Sequence, residues 1–165
     1  MSADESVDLE LVGVSIETPA NVPLMQLRES DGERRMLSIY IGASEYMAIE
    51  HALKDHVPPR PLTHDLLVNV FVDLGAHLHR VVITEMRSNT YFAEILLLHQ
   101  GQTHAISCRP SDAVAIALRA EIPIAANRQL LDEVGVVMGE DEQNSEEILG
   151  EWRDLIDNIS PEDFQ

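Results

Sequence analysis

CRPSDAVAI, from Cys108 to Ile116, sets an arginine and a proline directly ahead of a serine, an aspartate and a run of small and apolar residues. Read forwards, Pro110 stiffens the approach and Ser111 stands where a helix cap belongs. Asp112 falls in the first helical turn, where a negative charge complements the positive helix end. Read backwards, THAISC (Thr103–Cys108) is a strand. The stretch is therefore a strand-to-helix corner. An earlier stretch, IGASEYMAI (Ile41–Ile49), shares the order Ser-acid-x-x-Ala-Ile after a strand. Each closes a run of three strands and suggests two β-β-β-α halves, although a common strand-to-helix grammar produces the same match without duplication.

Working outward, strands are expected at LELVGVSIE (Leu9–Glu17), VPLMQLRE (Val22–Glu29) and RMLSIYIG (Arg35–Gly42). Ser30-Asp-Gly-Glu33 makes the hairpin turn, because Asp-Gly accepts positive φ angles. Ser44 is placed to cap a helix running to about Lys54. VPPRP (Val57–Pro61) cannot continue it and forms a stiff extended link. Thr63 is the expected cap of a second helix, with Leu66, Leu67, Val70, Phe71 and Leu74 at helical spacing until Gly75. HLHRVVITEM (His77–Met86) and TYFAEILLLH (Thr90–His99) read as further strands, DAVAIALRAE as a helix, IPIAA (Ile122–Ala126) as a short extended segment, and NRQLLDEVG as a short helix. The fold class expected is α+β: two β-meanders of roughly six main strands, antiparallel or mixed, with three to four packed helices. Residues 1–8 read as an N-terminal extension, 9–138 as the domain, and 139–165 as an acidic linker followed by the amphipathic helix EEILGEWRDLIDNI.

A chain of 165 residues, 45% hydrophobic, suits one domain with a real core. It has no apolar run of membrane-spanning length. The acidic start MSADESVDLE lacks the basic and apolar regions of a signal peptide, and the single cysteine, Cys108, excludes an internal disulfide. A cytoplasmic protein without membrane partners is expected. The net charge is −18, with ten acidic residues and one arginine after Met138. Such a field repels phosphate backbones at long range and weighs against tight, non-specific nucleic-acid binding. Lys54 is the one lysine among 11 basic residues, so any anion site should be local and arginine-built.

PRPLTHDLL (Pro59–Leu67) repeats the corner grammar. Capping accounts for Thr63, Asp65 and the prolines, but gives Arg60 and His64 no local role. Arg109 is left over in the same way. Two readings stay open. In one, both corners are salt-bridged helix starts. In the other they meet in space as an arginine and carboxylate cleft. There His64, Asp65 and Asp112 would be catalytic, and Arg60, Arg109, Thr63 and Ser111 would bind an anion. Asp65 and Asp112, joined by Glu45 or Glu50, would hold Mg²⁺ or Mn²⁺ and lower the pKa of a bound water. No organic cofactor is expected. His77 and His79 lie two apart on a strand, with His99 expected close on its neighbour. They read as exposed sheet histidines, because a zinc site would want Cys or acidic companions. Cys108 reads as a small buried residue.

Taken together, LSIYIGASEYMAIEHAL, PPRPLTHDLL, TYFAEILL and above all SCRPSDAVAIALR followed by Pro-Ile resemble the bifunctional nuclease domain family, its actinobacterial members in particular. The resemblance covers about Leu9 to Gly135. It implies an α+β domain that tends to form homo-oligomers, with nuclease activity on RNA and DNA attributed to plant members. The motif positions are Arg60, Pro61, Thr63, His64 and Asp65, then Arg109, Pro110, Ser111 and Asp112; no catalytic set comes with them. Two functions are therefore expected. One is metal-assisted phosphodiester hydrolysis of RNA or DNA. The other is a non-catalytic oligomeric module recognising a small anion or a protein partner.

Overall fold

In the computed structural model of the chain, the described residues run from 5 to 137; the acidic linker and amphipathic helix expected over 139–165 lie outside them. The elements follow in the order β1 (Ser6–Glu17), β2 (Val22–Glu29), β3 (Met36–Tyr40), α1 (Ala43–Leu53), α2 (Thr63–Asp73), β4 (His77–Arg87), β5 (Thr90–His99), β6 (Gln102–Cys108), α3 (Pro110–Ala120), β7 (Ile124–Asn127) and α4 (Arg128–Val134). The fold is α+β, with two antiparallel meanders, β1-β2-β3 and β4-β5-β6, in one mixed seven-stranded sheet ordered β3-β2-β1-β7-β4-β5-β6.

The short segment around IPIAA has a larger part than its length implies. As β7 it lies between the meanders, antiparallel to β1 (Leu9 opposite Ile124) and parallel to β4 (Val81 opposite Ile124). Ala125 and Ala126 are fully buried there. Parallel pairing needs a long crossover, which α3 supplies. β1 begins at Ser6 rather than Leu9, because Val7 pairs with Ala126 and Arg80 of β4 donates to Ser6 Oγ and Asp8 Oδ1.

α1 and α3 pack on each other and on the sheet, and the core lies between. Met25, Leu27, Leu37, Val81 and Ile83 supply the sheet side. The repeated Ala-Ile of the sequence echo matches in space, since Ile49 and Ile116 are both core residues. Ala113, Ala115 and Ala117 keep α3 thin enough for close helix packing. Burial of these apolar faces is the main stabilising term. α2 differs: none of its residues is buried, and Leu66, Val70 and Leu74 stay exposed.

None of the three expected caps occupies the cap position. Pro110 brings a helical φ, so α3 starts at the proline, and the residue before a proline stays extended, which makes Arg109 the N-cap. In α2 the N-cap is Leu62, whose amide N–H donates to Asp65 Oδ2 at 2.8 Å, leaving Thr63 as the first helical residue. In α1 the N-cap is Gly42, two residues before Ser44. A Cβ on Gly42 would collide with Glu45 Oε2, so glycine makes room for the glutamate to fold back.

The expected approach of His99 to His77 also fails. His77 stands opposite Leu98, which puts His99 on the other face, where its ring lies 6.3 Å from that of His104. A bulge after Leu78 further breaks the register at His79.

Candidate functional site

The two Arg-Pro corners meet. α2 packs against α3, and its first turn presents His64, whose Nε2 donates to Asp112 Oδ1 at 3.0 Å. Arg109 grips the same carboxylate twice, from Nε to Oδ2 at 2.7 Å and from Nη2 to Oδ1 at 3.1 Å. Its Nη2 also donates to Glu45 Oε1 at 2.8 Å. Glu45, His64 and Asp112 each belong to the first turn of a helix, so three positive helix ends converge on one cluster and favour its carboxylates. Glu45 and Asp112 occupy the same place in the two halves of the echo, and both are bound by Arg109.

The His64 side chain is 12% exposed and that of Asp112 23%, whereas Arg109 is 65% exposed. The arginine thus forms the open side of the cluster. Burial alone would raise the Asp112 pKa, but hydrogen bonds from Arg109 and then His64 outweigh it and hold the carboxyl below its ordinary value. The bond to Asp112, followed by that to Glu45, raises the pKa of Arg109. A cleft of about 750 Å³ opens beside the cluster, walled mainly by apolar side chains that include Met47, Leu67, Phe71 and Ile106. Cys108 also lines it, but burial, with help from the Asp112 and Glu94 charges, pushes its thiol up to about 11. That shift works against a thiolate near neutral pH.

The remaining expected site residues lie elsewhere. Arg60 is exposed in a proline-lined hollow and makes no ion pair among the described residues. Asp65 points away from Asp112, taking Arg119 Nε on Oδ1 at 2.5 Å and the Leu62 N–H on Oδ2. Its burial, which alone would raise the pKa, is outweighed by these bonds, so Asp65 too lies below the ordinary aspartate value. Thr63 lines the cleft, Ser111 is buried and lines a separate hollow, and Glu50 pairs with Lys54 rather than with the cluster.

Sequence reading missed Arg119. It also donates to the backbone carbonyls of Ala115 and Ala48, at 2.9 and 3.0 Å, and so joins all three helices. Its seven-residue spacing from Asp112, two turns along one helix face, was the available signal.

The donor set does not fit a divalent cation as arranged. Both oxygens of Asp65 and both of Asp112 are engaged by N–H donors. Among the described residues, no group of three or more His, Cys, Asp and Glu side chains is placed to hold a metal ion.

A mixed sheet carrying three helix starts that converge on a His–Asp–Arg–Glu cluster is the architecture to which the comparisons give a family. The bifunctional nuclease domain model matches residues 25–139, and the chain belongs to that family. Along nearly its whole length it is similar to the uncharacterized protein Rv1829 of Mycobacterium tuberculosis, with 34% identity over 164 residues, 96% of this chain and 98% of the relative. It is also similar to Bifunctional nuclease 1 of Oryza sativa subsp. japonica, 29% identical over 107 residues, which are 63% of this chain and 32% of that protein. Bifunctional nuclease 1 of Arabidopsis thaliana is 27% identical over 111 residues, 66% of this chain and 34% of that one.

Proposed function

We propose that this chain cleaves phosphodiester bonds in single-stranded nucleic acid, with His64 as the proton-transfer group. The observation that carries this reading is the 3.0 Å contact of His64 with Asp112, beside a guanidinium open to solvent. When Nε2 carries the proton donated to Asp112, the Nδ1 lone pair is the basic one. In the step proposed, Nδ1 takes a proton from an attacking water, whose oxygen bonds to phosphorus as the bond to the leaving oxygen breaks. The imidazolium or solvent then returns a proton to that leaving oxygen. Arg109 Nη1 makes no hydrogen bond among the described residues, and is left to take a phosphoryl oxygen. Two carboxylates against one guanidinium leave the cluster negative while His64 is neutral, so binding is expected to be weak and to weaken further in salt.

The test is cleavage of labelled single-stranded RNA and DNA by the purified chain, with Mg²⁺, with Mn²⁺ and with chelator. His64→Ala and Asp112→Asn are each expected to lower the rate about 100-fold or more. Cleavage that persists unchanged in both variants, or an inert parent chain, sinks the reading. Strict dependence on a divalent ion would restore the metal-assisted mechanism, at the cost of the Asp112 contacts seen here.

A second reading, a homo-oligomeric binding module, is favoured by α2 and its C-cap, where Leu66, Val70 and Leu74 are 55%, 42% and 66% exposed. Sedimentation velocity is then expected to show a species larger than one 18.4 kDa chain, reduced to the monomer by Leu66→Asp. A monomeric parent chain excludes it.

A further inference from the structure

A second hollow, of about 440 Å³, is also lined by Arg109, which separates it from the cleft that holds His64. It is walled by the β3–α1 junction, by Asn89, Thr90 and Tyr91 at the β4–β5 turn, and by Arg109 and Ser111. We propose that it is a phosphate subsite, which holds a phosphate group of the substrate strand next to the one at His64.

Three independent observations point there. In a chain of charge −18, no carboxylate among the described residues lines this hollow, whereas Glu45 and Asp112 both line the larger cleft. Ser111 is only 5% exposed, yet its hydroxyl makes no hydrogen bond among the described residues. The hydroxyl is not among the fully buried atoms left without a partner, so the little exposure that the residue keeps opens into the hollow it lines, within reach of a ligand. The 11-residue helix α3 begins at this wall with Pro110, which has no N–H, so the amide of Ser111 is the first free donor on the wall, at the positive end of the helix. The Ser111 hydroxyl and amide and the Arg109 guanidinium together match the acceptors of a phosphate group.

Arg109 lines both hollows, so one guanidinium would lie between two consecutive phosphates. That assignment of the ligand rests on the phosphodiesterase reading; the anion site itself does not. The Tyr40 hydroxyl, also on this wall, already donates to Glu17 and is left out of the donor set.

The test is an amide chemical-shift titration of the full chain with inorganic phosphate, then with a 5′-phosphorylated and an unphosphorylated oligonucleotide. Phosphate is expected to shift the Ser111, Asp112 and Thr90 amides. Ser111→Ala is expected to weaken binding about tenfold or more, the loss of a hydrogen bond to a charged group. His64→Ala is expected to leave the phosphate titration unchanged while stopping cleavage, which separates failure of this proposal from failure of the catalytic one. The phosphorylated oligonucleotide should shift the same amides at lower concentration if the substrate is the source, and phosphate alone should match it if a free anion is the ligand. An unresponsive Ser111 amide in the parent chain, or shifts that map to the His64 cleft, overturns the proposal even if the Ser111 variant does not fold.

Discussion

Gly42 shows how a single missing methyl group can shape the cluster. Its φ of −79° is open to any residue, so its value lies in the space above it, where the Glu45 carboxylate folds back and then reaches Arg109. Gly42→Ala is expected to displace Glu45, cost about 1 kcal/mol, and slow any activity that depends on the placement of Arg109. Adding Glu45→Ala removes the clash, so the double variant should be less destabilised than the sum of the single ones. Additive losses in a urea titration would show that the two residues do not meet. At this scale Asp112 and Glu45 were legible as first-turn acids in a repeated pattern, but nothing local marked Arg109 as their shared partner.

α2 is held by its first turn, with Val68 packed on the core, rather than by a fully buried face. Its first turn touches α3 through His64, and Arg119 of α3 grips Asp65 while bonding the Ala48 carbonyl of α1. The Arg119 side chain is 11% exposed, so removing it leaves a carboxylate and a carbonyl without partners in partly desolvated surroundings. Arg119→Ala is expected to cost about 3 kcal/mol in urea unfolding and to impair function by loosening the helix that carries His64. Arg119→Lys should recover only part, because lysine cannot bond Asp65 and two carbonyls with one planar fork. A loss under about 1 kcal/mol would mean that α2 is held by other contacts.

For the whole molecule, pH acts in β2, one strand in from the β3 edge of the sheet. Glu29 of β2 is 3% exposed and receives the Arg35 backbone N–H, Nε and Nη2, while Arg35 also reaches Asp132 of α4. The bonds from Arg35 outweigh burial and hold the Glu29 carboxyl below its ordinary 4.5. A depressed folded pKa means that the unfolded chain binds the proton more readily. The pair therefore stabilises fully above pH 4.5, and that stability is lost as pH falls through the lower folded value. Melting temperature is expected to fall on acidification below that point, and Glu29→Gln should lower the neutral-pH value and flatten the acid decline. An unchanged slope in the variant would assign acid sensitivity to other carboxylates.

Periodicity, turn chemistry and prolines are interactions between near neighbours, and they were enough to determine the strands, the helices, the α+β class and the two three-stranded runs. The family motifs were legible for the same reason, as the pairing of RPLTHDL with RPSDA. Only the tertiary structure decided that β7 stands between the meanders, that Asp65 serves Arg119 while Arg60 stays apart, and that His64 joins Asp112. Each of these depends on contacts between segments far apart in sequence, and such contacts are chosen by how buried surfaces pack and which donors reach which acceptors, a choice no local stretch of chain encodes.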